Sequence, residues 1–75
     1  MRIKTKGTKK KDVIRNLVRD AEWDCGYAAN ELADVLNGKY KDDPERERTN
    51  LEHAVHELMA ARAGLLAVKA MLEES

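Results

Sequence analysis

Leu36-Asn37-Gly38-Lys39-Tyr40-Lys41-Asp42-Asp43-Pro44-Glu45 is the stretch that decides how this 75-residue chain folds. Asn37-Gly38 is a helix stop, because both residues tolerate the left-handed conformation that closes a last turn. Asp43-Pro44 is a helix start: the aspartate caps orphan N–H groups, and the proline ring is already set for the first helical position. Asp42, Asp43, Glu45 and Glu47 also place negative charge at the positive end of the following helix dipole. A second start is available at Thr49-Asn50-Leu51-Glu52, which has the spacing of a capping box. Pro44 is the better start, since Glu45 to Arg48 are helix formers. A stop and a start this close together predict two antiparallel neighbours.

Both flanks carry the helical period. Upstream, Ile14, Leu17, Val18, Ala21, Cys25, Ala28, Leu32, Val35 and Leu36 fall within one arc at 100° per residue. Downstream, Leu51, Ala54, Leu58, Ala61, Leu65, Val68 and Leu72 step by three and four as a heptad seam. The spacing predicts helices over about 12–36 and 44–74. Gly26 lies off the first arc and weakens that helix by roughly 1 kcal/mol relative to alanine. Val55, Met59 and Leu66 widen the second stripe beyond what a single neighbouring helix covers.

That excess of apolar surface, in a chain this short, predicts self-association. A domain of this size is marginal without a disulfide, a metal or a partner chain. A single cysteine, Cys25, allows no internal disulfide. The expected fold is therefore all-α: a two-helix antiparallel hairpin (12–75) that dimerises into a four-helix bundle, with Leu51, Leu58, Leu65 and Leu72 in the dimer core.

Residues 1–11 read as a separate, flexible basic arm. The chain has fourteen basic side chains; six of them (Arg2, Lys4, Lys6, Lys9, Lys10 and Lys11) fall in this arm without an acid, so residues 12–75 hold eight basic against fourteen acidic side chains. Such an arm is either a solvated tail or an electrostatic handle for nucleic acid. No apolar run is long enough to span a membrane, and no secretory signal follows the charged start. With one cysteine, the expected setting is the cytoplasm.

Candidate chemistry is sparse. His53 and His56 share a helix side with Glu52 and Glu57, but in neither the His-Glu-x-x-His nor the Glu-x-x-His order, and they read as solvated histidines rather than metal ligands. Cys25 lies on the apolar arc and reads as a small buried hydrophobe. Arg62 and Lys69 interrupt the second stripe; their stems can lie along it while the charges meet carboxylates, Asp20 or Asp24 for Arg62, or a group on the other subunit. No phosphate loop and no nucleophile with its base is present, so no catalytic residue, cofactor, metal or small-molecule substrate is expected.

Trp23 and Tyr27 are neighbours one helical turn apart, projecting away from the apolar arc, and Arg19 is one turn before Trp23. Large aromatics with a polar handle are favoured at interface hot spots, and arginine stacks on them. The sequence thus points to a small non-enzymatic helical dimer that binds another macromolecule, a protein for preference, as regulator, adaptor or inhibitor, with Arg19, Trp23 and Tyr27 as the docking residues. The alternative is a nucleic-acid-binding regulator that uses the basic arm.

Overall fold

The computed structural model describes residues 2–74, with side chains from Lys9 to Glu74. Two helices, α1 (Arg2–Leu36) and α2 (Pro44–Glu73), run antiparallel, and no strand occurs among the described residues. The expected all-α hairpin is therefore observed. The start of α1 differs, falling at Arg2 rather than at Asp12. Lys9, Lys10 and Lys11 then lie inside the helix, where lysine is a good helix former, rather than at the positive end of its dipole. Of the six side chains on which the basic-arm expectation rests, those of Arg2, Lys4 and Lys6 lie outside the described residues.

The turn is built as its residues dictate. Gly38 takes φ +77°, the Lys39 N–H donates to the Asp34 carbonyl at 3.0 Å, and the Gly38 N–H donates to Val35 at 3.0 Å. This is the six-to-one and five-to-two pattern of a Schellman stop. At the other end, the Arg46 N–H donates to the Asp43 carboxylate at 3.2 Å, with Pro44 in the first turn. Thr49 does not cap; its hydroxyl donates back to the Glu45 carbonyl at 3.1 Å inside a continuous α2. At the far end of α2, Lys69 pairs with Glu73 at 2.9 Å and offsets one of the two acids that oppose the helix dipole.

The surface that joins the helices is made of small residues. Ala21 and Ala28 of α1 and Ala54, Ala61 and Val68 of α2 are buried, each seven residues from the next on its helix; Ala28 is 1% exposed. Between them lie the partly buried Leu17, Asp24 and Glu31 of α1, and Asn50, Glu57, Gly64 and Met71 of α2. Alanine at the repeat lets the two backbones approach closely. A Cβ added at Gly64 would stand 3.8 Å from the Leu17 carbonyl oxygen, an ordinary contact.

The phase of this seam corrects the sequence reading of α2. Ala54, Ala61 and Val68 face α1 as expected, but Leu51, Leu58, Leu65 and Leu72 do not. Each of those leucines follows a seam residue (Asn50, Glu57, Gly64, Met71) by one position, which turns it about 100° out of the seam. Cys25, expected to be buried, is exposed for the same reason, since it follows the seam residue Asp24.

Candidate interaction surfaces

In an antiparallel pair, residues one position after a seam residue lie on the same side of both helices. This side therefore gathers Val18, Cys25 and Leu32 from α1 with Leu51, Leu58, Leu65 and Leu72 from α2. Leu58 is 44% exposed and Leu65 45%. A groove of about 380 Å³ opens here, with Ala61 at its floor, Cys25, Leu58, Leu65 and Leu66 on its walls, and Arg62 and Lys69 along its outer edge. The four leucines expected in a dimer core are thus together, on one open face, and not in the core of the single chain. A second groove of about 250 Å³ continues along α2 among Arg48, Leu51, Glu52, Val55 and His56.

The aromatic pair belongs to the opposite side. Tyr27 precedes the seam residue Ala28 by one position and so turns away from the leucine face. Trp23 is 61% and Tyr27 52% exposed, and their rings meet edge to face at 6.2 Å and 66°. That geometry aligns the positive edge of one ring with the negative face of the other. Arg19 is exposed but no arginine stacks on Trp23 among the described residues; the cation over a ring is Lys39, 5.5 Å from the Tyr40 centroid.

Between the two surfaces runs a polar segment of the seam that apolar periodicity does not reveal. The Asn50 side-chain N–H donates to the Glu31 backbone carbonyl at 2.8 Å, a bond between helices that fixes their register. The carboxyls of Glu31 and Glu57 face each other beside it. One oxygen of each is shielded from water without a hydrogen-bond partner among the described residues. The Glu57 carboxyl is held above its ordinary range, first by the hydrogen bond that its protonated form makes to Glu31, then by burial and by the Glu31 charge; His53 opposes the shift. His53 Nδ1 stands 3.9 Å from the Glu31 carboxylate. Both histidines are exposed, as expected; His53 borders the seam and His56 the outer groove of α2.

No group of three or more metal-ligating side chains gathers among the described residues. Arg62 pairs with neither Asp20 nor Asp24, while Lys69 pairs within its own helix. Among the described residues, no helix is long and apolar enough to cross a membrane. No protein-family model, curated protein or solved structure matches the chain.

Proposed function

We propose that the chain is a small, non-enzymatic cytoplasmic dimer that works by association. Two hairpins join through their leucine faces into a four-helix bundle. Each then presents Trp23 and Tyr27, with Arg19 beside them, to another macromolecule, a protein that the dimer regulates, adapts or inhibits. The observation that carries this reading is the division of the molecule into an alanine seam and an open leucine face. Leu51, Leu58, Leu65 and Leu72 stay 38–59% exposed on that face, so a second copy would remove from water apolar surface that the single hairpin leaves wet. Because the aromatic pair lies on the other side, dimerisation leaves it free.

Capture from the native host by the tagged full chain, compared with its Trp23→Ala variant, tests the docking residues. Loss of a captured protein, with helical signal and solution mass unchanged, is the expected result. Equal capture by both forms removes Trp23 from the account. Capture of nucleic acid in place of protein, abolished by deleting residues 1–11, would support the basic-arm alternative instead.

A further inference from the structure

We propose that the second copy seats with its α2 along α1 of the first, about a two-fold axis parallel to the helices, and that Glu22 there meets Arg62 of the partner subunit. This rests on the dimer reading and goes beyond it by fixing which helices touch. Two seatings would cover the leucine face symmetrically. One lays α1 on the partner's α2; the other, with the two-fold axis across the helices, lays α2 on α2 and α1 on α1.

Charge distinguishes them. Beyond the leucine row, the next row outward on each helix follows the alanine positions by one residue. On α2 this row is Arg48, Val55, Arg62 and Lys69, with no acid; on α1 it is Arg15, Glu22, Ala29 and Leu36, with one base and one acid. Seating α2 on α2 would bring two basic rows together. The alternative lays the basic row along Glu22, and unlike charges at an interface edge set register and partner choice.

Height agrees. Asn50 sits against Glu31, and Gly64 against Leu17, so residues whose numbers add to about 81 are level across the hairpin. A rotation about an axis parallel to the helices keeps every residue at its height. Glu22 is then within a turn of Arg62 of the partner subunit, on the same edge of the bundle. Both side chains are exposed, and Arg62 forms no ion pair among the described residues. At the basic end Lys69 would face Arg15 of the partner subunit, and its pairing with Glu73 lessens that repulsion.

Size agrees as well. Cys25 and Ala29 leave a shallow stretch in the middle of α1, level with Val55 and Leu58 of the partner subunit. Small residues opposite large ones interdigitate, whereas rows of leucine opposite leucine do not fill the space beside paired small residues.

Sedimentation equilibrium of the full chain, Glu22→Arg, Arg62→Glu and the combined variant tests the seating. Each single reversal should weaken dimerisation roughly fivefold, and the combination should return it to within about twofold of the wild type, with helical circular dichroism unchanged throughout. Tighter association of Arg62→Glu would overturn the seating in favour of α2 on α2. A combined variant no better than the singles, or a dimer indifferent to all three changes, would overturn the seating and leave the dimer standing. A wild type that stays monomeric overturns both.

Discussion

The seam between α1 and α2 and the leucine face beside it share one seven-residue period and use opposite kinds of side chain. At the seam, Ala21, Ala28, Ala54 and Ala61 allow close backbone approach, and Asn50 pins the register through a main-chain carbonyl. Alanines remove little apolar area from water. One position further around α2, the leucines hold much more apolar area and leave about half of it exposed. One surface specifies how the hairpin closes; the other holds apolar area that the single chain leaves in water, and the proposed dimer would cover it.

Substitutions on the two surfaces sharpen that contrast. In the proposed dimer Leu65 is covered, and Leu65→Ala then has the largest expected effect: a loss of about 2–4 kcal/mol in urea unfolding, the range for a covered leucine. A loss below about 1 kcal/mol would mean that Leu65 stays as wet as in the single hairpin. Ala61→Leu probes the seam next to it. Larger atoms there must push the helices apart, and a loss of about 1–3 kcal/mol is expected, with weaker helix–helix contact in the monomer itself. A neutral Ala61→Leu would show that close approach does not hold the hairpin.

The smallest effect is expected from pH. Glu57 binds its proton more tightly in the folded hairpin than in the unfolded chain, so its contribution to stability grows as pH falls from about 7 through the raised range of Glu57 towards its ordinary 4.5. The same contribution is lost as pH rises again. Thermal midpoints should therefore increase between pH 7 and about 5, and Glu57→Gln should flatten that slope while folding normally. A midpoint that falls over the same interval in the wild type and in Glu57→Gln alike would remove the carboxyl pair from the account.

The turn was the most legible part of the fold, because its chemistry is local. Asn37-Gly38 and Asp43-Pro44 act through their own backbone preferences and through hydrogen bonds three to five residues away. The period of both helices was legible too, but the phase of α2 was not. Counting apolar residues favours large ones, so the leucine row passed for the seam, whereas close packing selects the small Ala54 and Ala61. Asn50, Glu31 and Glu57 escaped notice because they are polar residues at seam positions. The signal that would have found them is the step of three and four from Asn50 through Ala54, Glu57, Ala61 and Gly64 to Val68, read without regard to polarity. The aromatic pair was legible as an exposed neighbour pair, but its edge-to-face contact depends on rotamers that spacing does not set.

Sedimentation of the wild-type chain across micromolar concentrations tests the central claim most directly. A species of about 17 kDa, twice the 8.5 kDa chain, that dissociates and loses helix together on dilution is the expected result. A stable 8.5 kDa particle with an unchanged, cooperative melt at every concentration would contradict it.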